Sequence, residues 1–338
     1  MSLEDDIKSN AIELGFDAVG ITDASPIDAG QAELLSAWLK AGYAGQMKYM
    51  HRNFEKRINP AKLLENAQSV IVVGLNYKPP KQQPTQAEAA GPTGRPAIAW
   101  AGRIAEYAQY EDYHPFMKKR LVKLADFISS IAGEGVRFKI CVDSAPLAER
   151  SVALRAGLGF IGKNHTLIHP VLGPQIFLGE IVTTLRLRPD TPSGGNCGGC
   201  NRCMDACPTG ALRGDGQFDA NKCISYLTIE YKGPIAAEAA ERMGDRLFGC
   251  DECVLACPYR TDAPPCKNQE LKFYPDRAGL NIDEVLSLTD ETFSAKFAGS
   301  PIARTGLERL VRRLGSSKTK TRAGRPCHNA GNARGKRR

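Results

Sequence analysis

Nothing in this 338-residue chain is long and apolar enough to read as a membrane span, which needs about 20 consecutive apolar residues. The N-terminus has neither the basic nor the apolar region of a secretory leader. Met1-Ser2-Leu3-Glu4-Asp5-Asp6 is acidic and runs straight into a helical pattern, so a cytoplasmic protein is expected. The histidines are few and scattered. His51, His114, His165, His169 and His328 form no H-E-x-x-H or other metal pattern, and most are expected to be structural or exposed. No internal repeat is visible beyond two cysteine motifs. Cysteine itself is not scarce. Eleven of them in a reducing compartment point to metal or redox chemistry rather than disulfides.

The formal charge of +8 belongs to one end. Twelve Lys or Arg stand against one acid, Glu308, between Ile302 and Arg338. Removing that +11 leaves residues 1–301 at −3, a mildly acidic body. After Gly315 the chain is Ser, Thr, Gly, Asn, Lys and Arg with almost nothing apolar, and disorder is expected over 316–338. Three readings of this tail stay open, in this order: an idle solvated end, an altered reading frame, and an arm that binds RNA phosphates.

Leu3, Ile7, Ala11, Ile12 and Leu14 recur at helical spacing over 3–15. Ala18–Thr22 and Ser69–Leu75 read as buried strands, with helices over Gln31–Lys40 and Lys62–Gln68 between them. Lys78–Pro96 reads as a mobile loop. His114–Ala132 is an amphipathic helix with Phe116, Leu121, Leu124, Phe127 and Ile131 on one face. Arg137–Val142 reads as a strand, Pro146–Ala156 as a helix and Gln175–Leu185 as a strand. Strands and helices mix without strict alternation, so the class is α+β. The expected division is a catalytic domain over 1–187 and a cysteine module over 188–266. A helical segment over 267–315 and the basic tail follow.

Cys197-x2-Cys200-x2-Cys203-x3-Cys207-Pro208 has the bacterial ferredoxin spacing. Three thiolates wrap one four-iron cubane, and the fourth turns away to the other cluster. The second motif, Cys250-x2-Cys253-x3-Cys257-Pro258, has Leu247 where its first cysteine belongs, and Cys223 is the substitute. Cluster one then takes Cys197, Cys200, Cys203 and Cys257, and cluster two takes Cys207, Cys223, Cys250 and Cys253. Cys141, Cys266 and Cys327 are left free. Structural zinc also uses C-x2-C pairs, but a third cysteine in register and two Cys-Pro endings fit it poorly.

Gly157-Leu-Gly159-Phe-Ile-Gly162-Lys163 mimics both a dinucleotide fingerprint and a P-loop. The preceding segment reads as a helix rather than a strand, and Asn164 stands where a P-loop needs Ser or Thr. A helix cap at Gly157 and a tight turn are the expectation. Asp143, at a strand end before a helix, either caps that helix or serves as a general acid beside an electron-rich cofactor. Spacing alone does not choose.

The run VDSAPLAERSVALRAGLGFIGKN (142–164), FLGE (177–180) and the double-cluster module resemble the epoxyqueuosine reductase family. EKRINP (55–60), DYH (112–114), CISYLTIE (223–230) and GCDECVLACP (249–258) extend the match, in order, to about residue 312. The resemblance implies reduction of the epoxide of epoxyqueuosine in the tRNA wobble position, using cobalamin and two [4Fe-4S] clusters. It implies an N-terminal domain like the corrinoid-binding, nitroreductase-like core of reductive dehalogenases. Asp143 becomes the proton donor. Arg57, Ala105, Asp143, Leu167 and Leu178 become corrinoid contacts, joined by Ser225 and the turn Cys250-Asp251-Glu252-Cys253. Lys232 becomes a phosphate contact. The partners implied are tRNA and an unidentified electron donor; a monomer without membrane attachment is expected. Asp112-x-His114 is not followed by the Gly of cobalamin enzymes that supply a lower histidine. The chain departs from the family at Glu106, often Arg, at Tyr110, usually Gly, and after Arg313, where a basic tail replaces an apolar helix. The alternative is a reductase of like build acting on a small, for example halogenated, compound, although no twin-arginine leader is present.

Anaerobically reconstituted protein should hold about eight irons. The change Cys223→Ala should cost one cluster, because Leu247 offers no replacement ligand. Full iron loading of that variant would overturn the ligand assignment.

Overall fold

The computed structural model describes residues 2–80 and 101–312. The remainder of the expected loop after residue 80, the basic tail, Cys327 and His328 lie outside the described residues. Through residue 183 the chain forms α1 (Leu3–Glu13), β1 (Ala18–Asp23), α2 (Ala29–Lys40), β2 (Ser69–Asn76), β3 (Ala101–Ile104), α3 (Tyr113–Ala132), β4 (Phe138–Cys141), α4 (Glu149–Arg155), β5 (Phe160–Ile161), β6 (Leu167–Ile168) and β7 (Ile176–Thr183). β8 (Arg246–Phe248) lies between the two cysteine motifs and β9 (Gly279–Asn281) after them.

The helix starts follow local chemistry. Ser2 and Asp5 form a reciprocal capping box on α1: the Asp5 N–H donates to Ser2 Oγ at 3.2 Å and the Ser2 N–H to Asp5 Oδ2 at 3.0 Å. Asp112 caps α3 by accepting the His114 N–H at 3.1 Å.

The central sheet is antiparallel, in the order β1-β2-β7-β4. β2 is buried along its whole length because both faces of the sheet are covered. Ile71, Val73 and Leu75 face the core made with α1 and α3, where Ile7, Met117, Leu121, Leu124 and Ile128 are fully buried. Val70 and Val72 face the opposite core, with Leu147, Val152, Ala153 and Leu158 from the α4 side. This mixed build agrees with the expected α+β class.

A smaller sheet, β8-β3-β9, joins three distant stretches. β3 runs parallel to β8 and antiparallel to β9. Its core gathers Ile104, Leu247, Phe248, Leu280, Phe293, Phe297 and Ile302, so the chain after the cysteine module folds back onto residues 101–108.

Three local expectations are corrected. Lys62–Gln68 is not a helix: a short 3-10 turn ends at Lys62, and Asn66 adopts a left-handed φ of 61° that stops helical winding. The helix expected from Pro146 begins at Glu149, with Ala148 as an N-cap that makes no side-chain bond. Ile131 is 42% exposed; the last buried position of α3 is Ile128, one turn earlier.

Gly20 on β1 lies against the end of α4. A Cβ there would sit 2.1 Å from the Ala156 carbonyl oxygen and 2.6 Å from Leu158 Cδ1. Gly20→Ala should therefore destabilise the protein by about 1–3 kcal/mol, read as a lower urea midpoint. An unchanged midpoint would show that α4 is not held as described.

Candidate functional site

Cys197, Cys200, Cys203 and Cys257 line a single cavity with Asn164, Ile168, Pro258 and Tyr259. The first three lie on a tight loop, where the Cys200 N–H donates to the Cys197 carbonyl at 3.0 Å. Cys257 arrives from the second motif at the start of the helix Pro258–Thr261. The other four thiols are mutual neighbours. Burial pushes Cys253 well above the usual thiol range, and negative charge on Cys223, Cys250 and Cys207, with Asp251, adds to it. Burial likewise lifts Cys250 to about 11. Such thiols ionise only when something positive shares their space, which a bound cluster does. Among the described residues no three His, Cys, Asp or Glu side chains converge as they would on one metal ion. Cys197, Cys200, Cys203 and Cys257 surround a space rather than a point. Leu247 is buried against Gly102 in the core of the small sheet. Cys141 is buried in the core of the central sheet.

Asp143 follows β4 with a left-handed φ of 50°. A non-glycine residue held there is strained, a device common at functional sites. The helix-cap role falls away, since the N-cap position of α4 is Ala148, five residues further on. Its carboxylate Oδ2 is 3.0 Å from His114 Nε2, while His114 Nδ1 is 2.6 Å from Asp112 Oδ1. Arg304 completes the chain, 3.0 Å from Asp112 Oδ2 and 3.2 Å from His114 Nε2. Burial works to lower the His114 pKa, but its hydrogen bonds to Asp112 and Asp143 outweigh burial and the net shift is upward. Asp143 itself is 57% exposed, so its carboxyl is open to an incoming partner.

Two further acids lie behind Asp143. The Asp143 N–H donates to Glu149 Oε1. Glu180 sits fully buried in β7, opposite Val72 and Cys141. Burial, then the like charge of Asp143, pushes Glu149 up to about 7. Burial, then Glu149, raises Glu180 well above the carboxylate range.

Arg57 clasps the same loop: its carbonyl accepts the Ala148 N–H at 3.0 Å, and its Nη1 donates to the Leu147 carbonyl at 3.4 Å. Its Nε is buried without a partner. Leu167 and Leu178 belong to the apolar core beneath this loop. Ala105, Cys250 and Asp251 line a second cavity with Gly249 and Glu106. A Cβ on Gly249 would come within 2.3 Å of Ala105 Cβ, so small residues keep that wall flat. Tyr107 lies between the two regions and senses the charges of both Asp251 and Asp143. Glu252 pairs with Arg103 at 3.0 Å and with Arg246 at 2.5 Å, two residues that line this cavity. Ser225 lies on the helix Ile224–Ile229, which Cys223 precedes, and Lys232 is exposed just beyond it. Glu106 is satisfied here by Arg260, at 2.7 Å and 3.0 Å.

Sequence reasoning overlooked His114, Glu149, Glu180 and Arg304. His114 and Glu180 stood inside quoted motifs, DYH and FLGE, without a role. Arg304 lies 161 positions after Asp143, and nothing local marks their proximity.

The family model described as epoxyqueuosine reductase QueG, DUF1730, matches residues 57–144, and that of a 4Fe-4S double cluster binding domain matches 196–260. A relative named epoxyqueuosine reductase from Vibrio cholerae is 39% identical over 315 residues, covering 92% of this chain and 82% of its own. The structure of epoxyqueuosine reductase from Streptococcus thermophilus is 31% identical with a TM-score of 0.79, covering 94% and 82%. A crystal structure of epoxyqueuosine reductase with an epoxyqueuosine-modified tRNA-Tyr stem loop is 30% identical, with the same TM-score and coverage.

The buried acids set a pH dependence. A carboxyl with a folded pKa above its unfolded value near 4.5 stabilises the fold fully below that value, and the contribution is lost as pH rises through about 7. Glu149→Gln should therefore gain stability over the parent at pH 8 and little at pH 5, in urea midpoints measured across that range. Parallel curves for the two proteins would refute the buried acid.

Proposed function

The chain belongs to the epoxyqueuosine reductase family, and from that membership we propose that it reduces the epoxide of epoxyqueuosine, at the wobble position of tRNA, to the alkene of queuosine. The overall change consumes two electrons and two protons and releases the epoxide oxygen as water. The protein is an oxidoreductase, and residues 196–260 form its double-cluster domain. In our reading Asp143 is the proton donor, and its placement carries the assignment: an exposed carboxyl on a strained loop, braced by His114.

The residues present fit both cofactors. Two sets of four thiols, Cys197, Cys200, Cys203, Cys257 and Cys207, Cys223, Cys250, Cys253, stand ready for two four-iron clusters. The flat wall at Ala105 and Gly249, the unpartnered Arg57 Nε, Leu167, Leu178 and Ser225 fit a corrin, as do Asp251 and the Cys250–Cys253 turn. When bound, cobalamin supplies a low-valent cobalt nucleophile for epoxide opening, and the clusters supply electrons singly. His114 is engaged at both ring nitrogens, so it is not disposed as a cobalt ligand.

The chain's own residues handle the protons. His114 with a proton on Nε2 donates to Asp143; without it, Nε2 accepts from Arg304. The imidazole can thus restore a proton to Asp143 after each transfer, with Asp112 fixing its tautomer. Arg57 and Glu149 hold the loop that presents Asp143.

Lys232 remains our candidate phosphate contact. Arg309 and Arg312 gather nearby on the carbonyls of Ile229 and Tyr231, which concentrates positive charge on one side of an otherwise acidic body. Among the described residues no helix is long and apolar enough to cross a membrane. A cytoplasmic site fits a tRNA substrate, and the family favours tRNA over the small-compound alternative.

Asp143→Asn should lower epoxide reduction by roughly 10²–10⁴-fold, measured as queuosine formed from epoxyqueuosine-containing tRNA by nucleoside mass spectrometry. Cobalamin and cluster absorbance should stay at parental levels. Near-normal turnover would remove Asp143 from the mechanism.

A further inference from the structure

The glycine-rich run that imitates a phosphate loop is an antiparallel hairpin of β5 and β6, with Phe160 opposite Ile168 and Ile161 opposite Leu167. Its turn is tight. The Gly162 N–H donates to the Thr166 carbonyl at 3.0 Å, and His165 closes it with a left-handed φ of 59°. A Cβ on Gly162 would meet Ile168 Cδ1 at 2.4 Å, so the turn cannot widen.

That turn holds Lys163 and Asn164 against the cysteine loops. The Lys163 ammonium donates to the Gly198 carbonyl at 3.0 Å, the Cys200 carbonyl at 3.0 Å and Asn201 Oδ1 at 2.9 Å. Those three bonds use every proton an ammonium has. The Lys163 backbone N–H points at Cys197 Sγ, 3.4 Å away. Asn164 is buried, lines the same cavity, and donates to the Cys253 carbonyl on the other motif at 3.3 Å. All three partners of the ammonium are neutral, so its charge is not cancelled locally.

We infer that Lys163 is a positioning residue that tunes the redox potential of cluster one. A four-iron cluster gains one negative charge on reduction, and its potential follows nearby charge and hydrogen bonds to its sulfurs. A cation fixed on the ligand loop and an N–H aimed at a ligand sulfur both favour the reduced form. Lys163 therefore raises the potential of cluster one and leaves that of cluster two nearly unchanged. The ammonium is solvent-reached, so part of its effect is screened, and added salt should reduce it. The inference rests on the reading that Cys197, Cys200, Cys203 and Cys257 hold a cluster, and not on the tRNA reaction.

The test is a reductive titration of the reconstituted full-length protein followed by electron paramagnetic resonance, with iron counted in each sample. In Lys163→Met one of the two clusters should be harder to reduce. At fixed poise its reduced-to-oxidised ratio should fall roughly tenfold, about 59 mV for a one-electron couple. Lys163→Arg, which keeps the charge, should stay near the parent. If Lys163→Met sheds iron, Lys163→Gln, a polar donor without charge, is titrated instead, with the same fall expected. A full complement of iron with an unmoved potential overturns the inference. So does loss of four irons in both neutral variants, since the lysine would then be a clamp alone. A parent protein without eight irons would remove the cluster reading as well, and the iron count separates that failure from the others.

Discussion

The exchange of thiols between the two cysteine motifs is the constraint on which the rest of the molecule depends. Cys257 leaves its own motif to join Cys197, Cys200 and Cys203 around one cavity, and Cys207 crosses the other way. Neither motif can complete a site alone, so two segments some fifty residues apart must be held in fixed relation. The surrounding structure supplies that hold. The β5–β6 hairpin spans both loops through Lys163 and Asn164. The small sheet ties β8, immediately before the second motif, to β3 in the N-terminal part of the chain. Cys223, just before the helix Ile224–Ile229, stands beside Cys253, and Leu247 on β8 serves as core.

The same economy operates at Asp143. A loop between β4 and α4 would ordinarily present its aspartate as a cap. Here the left-handed backbone turns the carboxyl toward His114, and the capping position passes to Ala148, which makes no side-chain bond. The neighbouring loop and short helix compensate through Arg57 and Glu149. Glu149 and Glu180 are costly to bury as charges, and burial raises the pKa of both. The acids behind the loop therefore hold their protons to higher pH than exposed carboxylates do, in a protein whose reaction consumes protons.

Much of this was legible in the chain. The ferredoxin spacing announced the clusters because ligand geometry is local: three thiols on one tight loop leave a fixed imprint on sequence. The apolar strands β1, β2 and β7 announced themselves for a similar reason, since burial on both faces demands continuous β-branched residues. The failures have a common cause. Lys62–Gln68 and Pro146–Ala148 looked helical by composition, but the left-handed Asn66 and the bend that begins at the left-handed Asp143 decide those segments. His114 looked idle because its two partners come one from its own helix cap and one from another strand end. Arg304 arrives from a segment 190 residues further on, a contact that local pattern does not carry.

The three-stranded sheet also orders events in time. β3 and β8 can pair as soon as β8 has been synthesised, but β9 begins 31 residues after Phe248. At a translation rate of about 5–20 residues per second, that gap lasts a few seconds. Within it Cys250, Cys253 and Cys257 are added, and β9 begins 22 residues after Cys257, so all eight thiols of the module exist while the third strand and the helices Ile282–Ser287 and Asp290–Lys296 that complete its core are still missing. Chain direction thus leaves the cysteine loops less enclosed during synthesis than in the finished fold, a window in which iron and sulfide can be delivered before the last strand shuts.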